Sequence, residues 1–96
     1  MATSSLVVIP TLNEAENLPA LAARLLSLAA PPDILVVDDA SPDGTGEVAA
    51  ALGRETGGRV RVLRRTGRPG LGPAYRDGFA LGLGDGYARI AQMDAD

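Results

Sequence analysis

Four short apolar runs alternate along this chain with three stretches patterned at helical spacing, and polar or charged residues follow each run within a few positions. Leu6–Ile9 is a largely β-branched run closed by Pro10, which predicts a strand. From Asn13 to Ala30, Leu18, Leu21, Leu25 and Leu28 recur at steps of three and four, so they share one face of a predicted helix. Asn13 is placed to cap it, Glu16 to close a capping box, and Pro31–Pro32 to stop it. Ile34–Val37 predicts a second strand running straight into Asp38–Asp39.

Ser41-Pro42-Asp43-Gly44 is turn chemistry, and Thr45 can cap a helix reaching to about Thr56, with Val48 and Leu52 inward and Gly57–Gly58 as its stop. Val60–Leu63 is a third, weaker strand. Arg65 to Gly72 reads as a glycine-containing loop, and Pro73 suits the first turn of a third helix. On that helix Tyr75, Phe79 and Leu83 are expected to share the buried face, with Gly78 and Gly82 allowing another backbone to come close. Ala88–Met93 is a fourth strand, followed at once by Asp94-Ala95-Asp96.

Strands and helices in strict alternation with short turns predict an α/β fold, a parallel sheet of about four strands with three intervening helices. The strands are near-continuous apolar runs, as expected when both faces are covered. In such sheets ligands lie outside the carboxyl ends of the strands. The unusual residues collect there: Pro10–Glu14, Asp38–Asp39, Arg64–Arg65 and Asp94–Asp96 each follow one strand.

Composition narrows the chemistry. The 96 residues carry a formal charge of −3 and no basic run longer than Arg64–Arg65, so no nucleic-acid partner is expected. There is no Cys and no His, which excludes disulfides, thiolate nucleophiles and imidazole ligands. A metal here must be held by oxygen, which favours Mg²⁺ or Mn²⁺. No apolar run approaches the roughly 20 residues that span a bilayer, and residues 1–5 lack a basic n-region. A cytoplasmic location is the default expectation, with peripheral attachment at the cytoplasmic membrane face left open.

Each candidate also has a plain structural reading. Asp94 and Asp96, two apart beyond a strand, can share a divalent cation, or can form a solvated acidic turn. Of Asp38 and Asp39, one carboxylate can cap the following turn while the other accepts from a ring N–H or a ribose hydroxyl. Glu14 is not needed for the helix cap and could face a ligand. Asp43-Gly44-Thr45 is assigned to turn and cap. Arg64, Arg65 and Arg68 could meet a diphosphate or simply be solvated. Gly67, Gly70 and Gly72 match no phosphate-binding loop.

Four segments in order resemble the family-2 glycosyltransferases of GT-A fold, in their polyprenyl-phosphate (dolichol-phosphate) mannosyltransferase branch. They are Val8-Ile9-Pro10-Thr11-Leu12-Asn13-Glu14, Val36-Val37-Asp38-Asp39-Ala40-Ser41-Pro42-Asp43-Gly44-Thr45, Gly70-Leu71-Gly72-Pro73-Ala74-Tyr75-Arg76-Asp77-Gly78-Phe79 and Gln92-Met93-Asp94-Ala95-Asp96. The resemblance implies a Rossmann-like, nucleotide-sugar-binding half of one glycosyltransferase domain, with residues 1–96 an incomplete N-terminal part ending at the D-x-D motif. It implies that Pro10, Leu12 and Glu14 line the nucleotide pocket and that Val37 and Asp39 contact base and ribose. Asp94 and Ala95 would lie against the nucleotide, and Asp96, with Asp94, would hold the metal. Leu12 departs from the Tyr that many relatives carry, so base stacking is not expected there. The implied reaction is metal-dependent, inverting transfer of mannose from GDP-mannose to a polyprenyl phosphate at the membrane surface. A transferase using a UDP-sugar and a non-catalytic nucleotide-binding remnant are the alternatives, and no catalysis is expected from this chain alone.

Overall fold

The computed structural model describes residues 5–66 and 71–95. Its elements are β1 (Ser5–Thr11), α1 (Leu18–Leu26), β2 (Asp33–Asp38), α2 (Thr45–Glu55), β3 (Val60–Arg64), α3 (Leu71–Gly84) and β4 (Arg89–Gln92). All pairings are parallel, in the order β3-β2-β1-β4. The expected α/β fold, four parallel strands with three helices, is what forms.

The sheet has two apolar faces because successive strand residues alternate sides. Val7, Ile9, Ile34, Val36 and Val60 pack with Leu18, Ala22 and Leu25 of α1 and Ala49 of α2. Leu6, Val8, Leu35 and Val37 pack on the opposite face with Ala74, Tyr75 and Phe79 of α3. Seven of these strand side chains, Leu6, Val8, Ile9, Ile34, Leu35, Val36 and Val37, are at most 1% exposed, and each contributes about 1.5–3 kcal/mol by leaving water. The chain winds outward from β1 through α1 and α2, then crosses to the other side of β1 through α3. The strand order therefore reverses between β1 and β4, and the crevice at their carboxyl ends is the place a ligand is expected.

Gly78 and Gly82 let α3 sit low on the sheet. A Cβ at Gly78 would lie 2.5 Å from Val8 Cγ1 and 3.2 Å from Val37 Cγ2; at Gly82 it would meet Ile90 Cδ1 at 2.8 Å and Leu6 Cδ2 at 2.9 Å. The close approach is to side chains of the sheet, not to another backbone as the spacing suggested. Leu83 is 70% exposed, so the buried face of α3 holds Tyr75 and Phe79 without it.

Several predicted boundaries move for local reasons. Asn13 does not cap α1: its φ of 61° is left-handed. The chain first makes a turn on the Glu14 carbonyl, which accepts from Asn17 N–H and Leu18 N–H. The cap position is Asn17, with no side-chain cap bond, and Pro19 sits in the first turn where a missing N–H costs nothing. The helix stops at Leu26, leaving Leu28 54% exposed. The α2 cap position is Gly44, at φ 89°, and Thr45 is the first helical residue. Gly57 and Gly58, both left-handed, end α2 as expected, with Gly58 N–H donating to Gly53 O at 2.9 Å. The loop expected over 65–72 is shorter, because α3 includes Leu71 and Gly72; Gly67, Arg68 and Gly70 lie outside the described residues.

Candidate functional site

At the carboxyl end of the sheet two hydrogen-bond relays join the loop after β1 to the loop after β2. Asn13 N–H donates to Ser41 Oγ at 2.9 Å, and Ser41 Oγ donates to Asp38 Oδ1 at 2.5 Å. Glu14 N–H donates to Thr45 Oγ1 at 3.0 Å, and that hydroxyl donates to Asp43 Oδ1. Ala15 N–H reaches Asp43 Oδ2 at 3.1 Å, and Asp39 N–H returns to the Thr11 carbonyl at 3.1 Å. The two loops are thus one unit. Thr45 holds the Asp43 carboxyl below its usual value, mainly through that hydroxyl bond and despite some opposing desolvation.

The adjacent carboxylates at the end of β2 and just past it divide their work. Asp38 is 3% exposed and accepts from Thr11 Oγ1 at 2.8 Å and from Ser41 N–H at 3.1 Å, besides the Ser41 hydroxyl. It is the turn-organising member of the pair. Asp39 lies past the strand end, and its Oδ1 faces Arg65 Nε at 2.9 Å, both side chains 10% exposed. Arg65 also reaches Asp77 of α3 at 3.1 Å.

The other expected site residues spread around the same edge. Pro10 is half-buried at the end of β1, Leu12 is 55% exposed and Glu14 is half-buried. The Val37 side chain is fully buried beneath α3, so what it offers a ligand is its backbone. Met93 N–H donates to Val8 O at 3.0 Å, which carries the β4 pairing one residue further. Asp94 is exposed, and its Oδ1 accepts from Tyr75 Oη at 3.0 Å. Burial, then the Asp94 bond, raise the Tyr75 phenol, so it is a standing donor at neutral pH. Ala95 turns back into the α1-side core at 8% exposure. Asp96 lies outside the described residues. Met93, Asp94 and Ala95 form one wall of an open groove of about 490 Å³, whose other wall is Glu16 and Asn17 ahead of α1 with Ala20, Leu21 and Arg24 on it.

Sequence reasoning missed the partners. Helical spacing puts Tyr75 on the buried face of α3, yet its hydroxyl holds Asp94; nothing in the local pattern marks Thr11 and Ser41 as the groups that hold Asp38. Arg65, which the sequence leaves as either diphosphate-facing or solvated, holds Asp39. Its position was readable in principle, since it follows directly on the strand that runs parallel beside Asp38.

The profile of Glycosyl transferase family 2 matches residues 6–96. The chain belongs to this family. Among curated members, polyprenol monophosphomannose synthase of Mycolicibacterium smegmatis is 50% identical over 92 residues, which is 96% of this chain and 35% of that protein. Undecaprenyl-phosphate mannosyltransferase of Micrococcus luteus is 50% identical over 91 residues, 95% of this chain and 37% of that protein. Dolichol-phosphate mannosyltransferase of Pyrococcus furiosus is 42% identical over 92 residues, 94% of this chain and 25% of that protein. The chain therefore spans between a quarter and about a third of these family members. The structure of mannosyltransferase PcManGT from Pyrobaculum calidifontis, in complex with GDP-Man and Mn²⁺, superposes with a TM-score of 0.72 at 24% identity. It covers 100% of this chain and 28% of its own, and shows that the fold is shared. Within the described residues no helix is long and apolar enough to cross a membrane.

Proposed function

We propose that this chain is the donor-binding part of a polyprenyl-phosphate mannosyltransferase, which transfers mannose from GDP-mannose to a polyprenyl phosphate with inversion. The observation that carries the proposal is half identity across 91–92 residues to two enzymes named for mannose transfer to polyprenyl carriers. The carboxyl ends of the strands support it, because Glu14, Asp39 and Asp94, from the first, second and fourth matching motifs, follow β1, β2 and β4 there.

In this reading Pro10, Leu12 and Glu14 line the nucleotide pocket on a loop pre-shaped by Ser41, Asp43 and Thr45. The Val37 backbone and the Asp39 carboxylate take the base and ribose. Asp94 and Ala95 lie against the diphosphate side, with Tyr75 orienting Asp94. The described residues hold no cluster of three carboxylates, His or Cys, but the oxygen chemistry of this strand end suits a hard cation. Asp96 and Asp94 would hold Mg²⁺ or Mn²⁺, which when bound supplies charge neutralisation at the departing diphosphate. The acceptor needs little activation, since a phosphate monoester with a second pKa of about 6 is already largely ionised at neutral pH. Its lipid tail places the reaction at a membrane surface.

Calorimetric titration of the chain with GDP and with UDP, each with Mn²⁺, tests the reading. Tighter binding of GDP, with the Mn²⁺-dependent part lost in Asp96→Asn, is the expected result. Preference for UDP would move the chain to another donor class, and no binding of either nucleotide would refute the reading.

A further inference from the structure

We propose that Arg65 is a positioning residue for Asp39, acting on nucleotide binding through that carboxylate. The inference rests on the reading of Asp39 as the group that meets base and ribose. Arg64 and Arg65 are adjacent but differently used. Arg64 ends β3, keeps half its side chain exposed and pairs with Glu47 on α2. Arg65 begins the following loop, its N–H donating to the Asp38 carbonyl at 2.8 Å, and its side chain turns inward to 10% exposure. There the guanidinium wedges between the end of β2 and α3, with Asp39 at 2.9 Å and Asp77 at 3.1 Å.

A carboxylate so little exposed is costly to keep charged without a partner. It must also keep one orientation to accept from a ligand whose donors are fixed in a ring. The planar guanidinium supplies both needs, because its fork meets two carboxylates on different elements at once. Tied to Asp77, it takes its own position from α3. The direction in which Asp39 presents its oxygens is thereby set from two sides of the sheet end. A lysine would keep the charge and lose the second arm.

The test is GDP affinity, by calorimetry with Mn²⁺, for wild type, Arg65→Ala, Arg65→Lys, Asp39→Asn and the Arg65→Ala/Asp39→Asn double variant. Far-UV circular dichroism checks that each is folded. Loss of the close, little-exposed Arg65–Asp39 ion pair predicts about tenfold weaker binding in Arg65→Ala. Arg65→Lys is expected between the two. In the Asp39→Asn background, removing Arg65 is expected to cost less than about twofold, since the path through Asp39 is already cut. If Arg65→Ala does not fold, Arg65→Gln takes its place under the same criteria. Unchanged affinity in a folded Arg65 variant overturns this proposal alone. So does an equal loss in both backgrounds, which would mean that Arg65 meets the nucleotide itself or acts through the fold. A wild type that binds neither GDP nor UDP overturns the nucleotide reading, and this proposal with it.

Discussion

Replacing Gly78 with alanine should unseat α3. The added Cβ would stand 2.5 Å from Val8 Cγ1, about 1 Å inside the normal carbon–carbon contact. Val8 is fully buried in the middle of β1 and β-branched, so it has no rotamer to retreat into. Val37 closes the other side at 3.2 Å. Overpacking of this kind costs about 1–3 kcal/mol. Alanine returns about 1 kcal/mol of helix propensity, leaving a net loss on the order of 1 kcal/mol. For a domain of this size that is a fall of about 4–8 °C in melting temperature for each kcal/mol. Gly84→Ala is the control, because a Cβ there meets nothing within 4 Å. It should hold or raise the melting temperature. Thermal unfolding followed by far-UV circular dichroism gives both numbers. A Gly78→Ala variant that melts as high as Gly84→Ala would refute the seating of α3 described above. Because α3 also carries Tyr75 and Asp77, the destabilised variant should lose nucleotide affinity as well.

Thr45→Val keeps the shape of a fully buried side chain but leaves Glu14 N–H without its acceptor, a loss of about 1–3 kcal/mol at neutral pH, readable in urea titration. The Asp43 carboxyl, depressed below 3.8 by Thr45, contributes stability above that value and loses it as pH falls through the depressed one. The gap between wild type and variant should therefore narrow in acid to the part owed to the Glu14 N–H, and a constant gap down to pH 2 would contradict the Thr45–Asp43 assignment. At the other end of the sheet, burial and then the Asp33 bond raise the Tyr87 phenol above 10.0, with Oη donating to Asp33 Oδ2 at 2.6 Å. That contribution is complete below pH 10.0 and is lost as pH rises through the elevated value. Tyr87→Phe should flatten the alkaline limb of the stability profile, and an unchanged limb would contradict the assignment.

The strands and their order of appearance were legible because buried parallel strands write themselves as unbroken apolar runs. Helix starts were less so. The capping pattern at Asn13 and Glu16 is locally valid, but tertiary donors compete for it: Ser41, Thr45 and Asp43 take the backbone N–H groups of residues 13–15, and α1 begins only at Leu18. Pro19 was the overlooked signal. Leu83 fits a helical period yet faces solvent, because period fixes an angle around the axis and not where the neighbouring layer ends, and Leu28 faces solvent because α1 stops before it. The carboxylates of the candidate site could be picked out by position. Their separate duties could not, since these depend largely on groups distant in sequence, Thr11 turning toward Asp38 and Arg65 toward Asp39.

The loop between β1 and α1 owes its form to backbone donors caught by side chains of another segment. Its own side chains are therefore released from holding its shape. Position 12 stands more than half exposed on this borrowed frame, and its leucine side chain supplies none of the bonds that shape the loop. The freedom to vary and the duty to stay fixed fall on different stretches of sequence: substitutions at 12 change what this loop presents, whereas substitutions at 41, 43 or 45 would redraw the loop itself. A site built this way can drift toward new ligands along one loop while the other keeps the register.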